Sequence, residues 1–123
     1  QRDAKKGALA PAERARVLEN AGTASRLLGR TRDAARWLES ASREPSSGPS
    51  PRYQLALTYA SAGKLSRALE SLDAAFRTAR TPAETRKLVI QARVDTELDA
   101  LRDLPEFRRL LRPDTGSDGA SRR

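Results

Sequence analysis

The chain has 123 residues, with 24 Lys and Arg against 16 Asp and Glu, a net charge of +8, and no Cys, His or Met. This length corresponds to one small domain or to a segment of a longer protein. Without Cys and His, we expect neither a zinc, iron–sulfur or haem site nor thiol, disulfide or histidine acid–base chemistry. The composition therefore argues against the commoner enzymes. Because the sequence also lacks a catalytic residue set, a glycine-rich phosphate loop and a complete calcium loop, we predict no metal, no cofactor and no enzymatic activity.

The apolar residues favour helices. They comprise 21 Ala and 25 larger residues, mostly Leu. Ala is the best helix former, and the β-branched and aromatic residues typical of strands are scarce. We therefore predict an all-α fold. No stretch approaches the roughly 18 to 20 uncharged apolar residues of a membrane span.

The absence of Met indicates that Gln1 is not a translation start, so we expect that an N-terminal piece has been removed. The compartment stays open. The chain would be cytoplasmic, or periplasmic if a leader preceded Gln1, and the lack of Cys is compatible with both.

The N-terminal third of the sequence is predicted to form a flexible tail followed by a helical hairpin. Residues 1–10 are mostly small and polar. The first helix runs from about Pro11 to Leu28 and stops at Gly29, and the second runs from about Arg32 to Ser42. The second helix carries an apolar stripe at helical spacing: Ala34, Trp37, Leu38 and Ala41. A turn over residues 44–50 follows.

A second hairpin follows the same plan. Ser50 is predicted to cap a helix that opens with Pro51 and ends at Gly63. The next helix begins at Lys64 or Ser66. Its stripe consists of Leu65, Ala68, Leu69, Leu72, Ala75, Phe76 and Ala79.

The C-terminal third begins with a helix that is capped by Thr81, opens with Pro82 and extends to about Val94. We interpret it as the first helix of a third, partial repeat, that is, as a third first-helix. A terminal cap is predicted after it, with a short helix that starts at Pro105. Its apolar residues are Leu98, Leu101, Leu104, Phe107, Leu110 and Leu111. Residues 113–123 are predicted to form a disordered tail.

The two hairpins are copies of one unit of 34 residues. At that offset five identities align: Gly29 with Gly63, Ala34 with Ala68, Leu38 with Leu72, Ala41 with Ala75, and Arg43 with Arg77. Small side chains recur where two helices would cross closely: Gly22, Ala34, Ala41, Ala56, Ala68 and Ala75. Larger ones are expected to fill the gaps: Leu38, Leu72, Tyr59 and Phe76. Because one hairpin cannot bury its own apolar face, we expect the units to stack.

This unit resembles the tetratricopeptide repeat. The second copy carries the resemblance in Leu55-Ala56-x-x-Tyr59, Gly63, Ala68, Leu72 and Ala75, and the first in Leu18, Gly22, Gly29, Ala34, Leu38 and Ala41. Residues 98–111 are similar to the closing segment of many bacterial members. The resemblance implies a right-handed α-α superhelix over residues 11–112, with repeat 1 at about 15–48, repeat 2 at about 49–82, and a partial repeat with capping helices at about 83–112.

The resemblance also implies a function, because the first helices of such repeats line a concave groove that binds a partner peptide or subunit. The register places six candidate binding residues there: Arg16, Arg26, Tyr53, Leu57, Lys87 and Gln91. An exposed Tyr53–Leu57 pair flanked by Arg and Lys would favour a ligand with an apolar anchor and either acidic groups or a free C-terminal carboxylate.

Three other interpretations stay open. Each candidate side chain could simply solvate a helix face. The chain could be a structural adaptor that assembles by stacking of its terminal hairpins, in an oligomeric state that the sequence leaves undetermined. A basic nucleic-acid-binding module is less favoured, because the 20 Arg and 4 Lys are spread along the chain among acids and only five aromatic residues are present.

Overall fold

The computed structural model describes residues 9–112, and every regular element in that range is helical, which confirms the all-α class. The elements are α1 Pro11–Leu27, α2 Thr31–Ser42, α3 Ser50–Ser61, α4 Leu65–Thr78, α5 Pro82–Val94, a 3₁₀ helix Thr96–Leu101, and α6 Pro105–Leu110. Most of the two predicted tails, residues 1–8 and 113–123, lies outside the described residues.

Two helical hairpins form the body of the fold. Helices α1 and α2 pack against each other as hairpin 1 (residues 11–42), and α3 and α4 pack as hairpin 2 (residues 50–78). Each hairpin turns at a glycine in the left-handed region, Gly29 at φ +81° and Gly63 at φ +79°. A side chain at such a φ would be strained, so glycine is required at both turns. The hairpins meet mainly through α2 and α3.

The predicted close crossings are confirmed. Ala34, Ala41, Ala56, Ala68 and Ala75 are completely buried. Gly22 faces Leu38 so closely that an added Cβ would lie 2.5 Å from the Leu38 Cγ atom. Methyl-sized side chains at these positions therefore allow the helices to approach each other, and the buried Leu38 and Leu72 fill the space between them.

The C-terminal segment completes the core of hairpin 2. Leu98 and Leu101 of the 3₁₀ helix are fully buried, and Phe107 of α6 is nearly so. The 3₁₀ helix packs directly against α3. The predicted terminal segment is thus an integral part of the core.

Helix α5 does not repeat the packing of α1 and α3. By the 34-residue register, Ile90 occupies the position of Gly22 and Ala56, yet Ile90 is 60% exposed. The reason is that the chain bends after Val94 into the 3₁₀ helix, which packs on α3 and leaves Ile90 without a second helix of its own. Helix α5 therefore continues the 34-residue register of α1 and α3 but lacks the second-helix partner that each of them has.

Two local predictions are wrong: that Trp37 belongs to the buried stripe of α2, and that Ser50 caps α3. Trp37 is 43% exposed, because it lies opposite Ala35, which packs against hairpin 2. Ser50 is the first residue of α3 rather than its cap, and its hydroxyl donates a hydrogen bond to the Glu19 carboxylate. By contrast, the Thr81 cap is confirmed, since its hydroxyl oxygen accepts a hydrogen bond from the Glu84 amide at 3.1 Å.

Candidate functional site

An open depression of about 460 Å³ lies between α1, α3 and α5, and we call it the groove. Its lining residues are Thr23, Arg26, Gly48, Pro49, Ser50, Tyr53, Gln54, Leu57, Leu88 and Gln91. Four of the six predicted residues are among them. The other two, Arg16 and Lys87, are exposed on α1 and α5 outside the lining.

The register explains which residues line the groove. Thr23, Leu57 and Gln91 are separated by 34 residues each, and so are Gln54 and Leu88. Gln54 and Leu88 were not among the predicted site residues. The 34-residue offset relates Gln54 to Leu88 but relates neither of them to a predicted site residue, so the register alone could not have identified them.

The floor of the groove is apolar and less accessible than predicted. Tyr53 is 4% exposed and Leu57 is 5% exposed, so the prediction of an exposed Tyr–Leu pair is wrong. The physical reason is the C-terminal segment that packs on α3: the Tyr53 hydroxyl donates a hydrogen bond to Asp95 Oδ2 at 2.9 Å. Burial, followed by this hydrogen bond, raises the pKa of Tyr53 well above its ordinary value of 10.0. Tyr53 is therefore a neutral structural anchor of the groove.

One wall of the groove is a polar network that joins α1 to α3. Gln54 Nε2 donates to Glu19 Oε2 at 2.8 Å, and the Thr23 hydroxyl donates to Gln54 Oε1 at 2.8 Å. Ser50 donates to the same Glu19 carboxylate. Because these groups satisfy one another, they hold the wall in position more than they offer free hydrogen-bonding capacity to a ligand.

Arg26 forms the opposite part of the wall. Its Nη1 donates to Glu97 Oε1 at 2.5 Å, which connects α1 to the C-terminal segment. Its Nε atom is buried and has no hydrogen-bond partner among the described residues. A buried N–H without an acceptor is costly. The Arg26 side chain keeps 18% of its surface exposed, which leaves the guanidinium partly open to the groove, and the exposed Gln91 amide on α5 offers a second polar contact.

The groove can therefore take an apolar group against Leu57 and Leu88 and a hydrogen-bond acceptor at Arg26. No cluster of three or more carboxylates in the described part of the chain is arranged to hold a metal ion. None of the described helices is long and apolar enough to cross a membrane.

Comparison with known proteins finds no family model that matches the chain, no similar curated protein and no similar solved structure.

Proposed function

We propose that this chain is a non-enzymatic protein-interaction module that binds a segment of a partner protein in the groove. The observation that carries the proposal is the convergence of Thr23, Leu57 and Gln91, 34 residues apart in sequence, on one depression. A repeated unit that presents the same position of successive first helices to one surface is suited to an extended ligand. We further propose that the hairpins follow the right-handed tetratricopeptide-like arrangement that their repeat pattern resembles.

The lining residues define the ligand chemistry. Leu57 and Leu88 would contact an apolar side chain, and the partly exposed Arg26 guanidinium would donate to a carbonyl or carboxylate oxygen. Glu97 already neutralises part of the Arg26 charge. The proposed ligand is a peptide with one apolar anchor and an adjacent acidic group or C-terminal carboxylate, which would compete with Glu97 for Arg26.

Peptide selection followed by NMR mapping tests the proposal. Peptides selected from a random display library against the full chain would be titrated into ¹⁵N-labelled protein. We expect amide shifts concentrated at Thr23, Gln54, Leu88 and Gln91. Shifts concentrated on another surface, or a library that yields no specific binder, would refute the groove as the binding site.

Charge variants sharpen this test. Gln91→Glu places a carboxylate in the groove and should weaken an acidic peptide by about fivefold, roughly 1 kcal/mol of repulsion. Ala83→Glu adds the same charge to an exposed position of α5 outside the lining and serves as the matched control. Equal weakening by both variants would show that binding depends only on the overall charge.

The second candidate is an adaptor that assembles by stacking on hairpin 1, and it rests on a different observation. Val17 and Ala24 are exposed, whereas Pro51 and Thr58, their equivalents 34 residues later, are buried. Another helix pair could cover the exposed face as hairpin 1 covers the face of hairpin 2. Ala24→Asp should then abolish assembly and leave peptide binding intact, while Gln91→Glu should have the reverse effect.

A further inference from the structure

A second depression, of about 620 Å³, lies between α2 and the turn from α3 to α4, and it shares no lining residue with the groove. Four cationic side chains line it: Arg32, Arg36, Lys64 and Arg67. We call it the basic pocket. The sequence showed no such cluster, because its two halves are separated by about 30 residues and come together only when hairpin 1 packs on hairpin 2.

The charge of the basic pocket is largely uncompensated. Glu39 is the only acidic residue in its lining, and its carboxylate already accepts a hydrogen bond from the Tyr59 hydroxyl. Among the described residues, Arg36 pairs with Asp33 at 3.2 Å on the exposed surface of α2, while Arg32, Lys64 and Arg67 form no ion pair. Cationic groups gathered around a concave surface concentrate positive potential there and attract anions.

The geometry of the cations suits an oxyanion with several oxygens. Arg32 and Arg36 are four residues apart and therefore share one face of α2. On the other side, Arg67 is positioned by the Tyr59 ring, with its guanidinium carbon 5.8 Å from the ring centroid. Planar guanidinium groups bind phosphate in a bidentate manner, and a lysine ammonium adds a point charge.

We propose that the basic pocket binds a small ligand that carries two or more phosphate groups, of the diphosphate or nucleoside diphosphate class. With Glu39 counted, the lining carries a net charge of +3, which suits a ligand with more than one negatively charged phosphate group. The depression, at about 620 Å³ and open to solvent, is larger than a single phosphate. The cations also come from about one turn of each of two helices, which favours a compact ligand over an extended strand or peptide.

Calorimetric titration of the full chain with pyrophosphate at low ionic strength tests the proposal. We expect one binding event per chain and about tenfold weaker affinity in each of the variants Arg32→Gln and Lys64→Gln, because each removes one charge-assisted contact. Both side chains are exposed, so circular dichroism should show an unchanged helical content. Arg86→Gln, which removes an equally exposed charge from α5, is the matched control and should leave the affinity unchanged within about twofold.

The other possible results of these titrations also bear on the proposal. Equal weakening by all three variants would show that pyrophosphate is attracted by the overall charge of the chain, and would overturn the proposal. Absence of saturable binding would refute the site. Titration with ADP separates the two sources of the diphosphate: tighter binding than pyrophosphate indicates a nucleotide, and equal binding indicates the phosphates alone. Tighter binding of hexaglutamate, or affinity that rises with oligonucleotide length, would overturn the proposal in favour of an acidic protein segment or a nucleic acid.

Discussion

The two hairpins share one register and differ in how much of each is buried. Val17 of hairpin 1 is 52% exposed and Leu28 just after α1 is 71% exposed, whereas Thr58 of hairpin 2 is 1% exposed. Hairpin 2 has a neighbour on each side, with α2 on one and the 3₁₀ helix on the other. Within the described residues, hairpin 1 is packed only on the side of hairpin 2. The environment of a repeat position is thus set by the neighbouring unit as much as by the unit itself.

A matched pair of charge substitutions tests this comparison with the largest expected effect. Thr58→Asp buries a carboxylate where α3 offers no cation, and the free energy of unfolding should fall by about 3 kcal/mol or more. Ala24→Asp at the equivalent exposed position should change the free energy of unfolding by less than about 0.5 kcal/mol. Urea denaturation measures both. A comparable loss in the two variants would show that the face of hairpin 1 is covered in solution.

Arg102 holds the C-terminal segment that packs on hairpin 2. Without its side chain, hairpin 2 should lose stability because it would be well packed on one side only, as hairpin 1 is. Its guanidinium donates to the carbonyl oxygens of Arg93 (2.8 Å) and Asp95 (2.5 Å) and to the Asp99 carboxylate (2.7 Å). Arg102→Met keeps much of the apolar stem and loses these bonds, so we expect a loss of about 1.5 to 3 kcal/mol. The control is Arg108→Met, whose exposed ion pair contributes little. Equal melting temperatures for the two variants would contradict this role.

The crossing of α1 and α2 is tighter than the crossing of α3 and α4. Gly22→Ala would place a methyl group 2.5 Å from Leu38 Cγ, although alanine normally stabilises a helix by about 0.5 to 1 kcal/mol relative to glycine. Overpacking outweighs that gain, and we expect a net loss of about 1 to 2 kcal/mol. Leu38→Val in the Gly22→Ala background should recover part of the loss. A stabilising Gly22→Ala would show that Leu38 moves aside freely.

Alkaline pH should destabilise the fold through hairpin 2, because hairpin 2 carries both tyrosines. Burial raises the pKa of Tyr53 and of Tyr59 above the ordinary 10.0, and hydrogen bonds to Asp95 and Glu39 add to the effect. A raised pKa in the folded state contributes stability that is fully present below pH 10 and is lost as the pH rises above it. At pH 11 Tyr53 should cost about 1 kcal/mol, and Tyr59 should add to the loss in the same direction. Urea denaturation at pH 9 and pH 11 measures the loss, and Tyr53→Phe should reduce it.

The helices could be predicted from the sequence because their signals are local. Pro82 with the Thr81 cap, and the glycines Gly29 and Gly63, place helix boundaries within about two residues of those observed. The close crossings followed from Gly22 and the repeated alanines. Each of these signals concerns a single helix or a single hairpin.

The candidate site depended on contacts between units and was predicted only in part. The register assigned Tyr53 and Leu57 to the correct helix face but could not show that Asp95 and the 3₁₀ helix cover Tyr53. The exposed Ile90 has the same origin, since the chain leaves the repeat plan after α5. Long-range packing of an irregular segment has no period in the sequence from which it could be recognised.

Native-state hydrogen exchange measured by NMR tests most directly whether a neighbour on each side accounts for the difference between the hairpins. We predict that the amides of α3 and α4 exchange only through global unfolding, while those of α1 open at a free energy lower by about 1 kcal/mol or more. Equal opening free energies for α1 and α3 would contradict the account, because the exposed face of hairpin 1 would then have no energetic consequence.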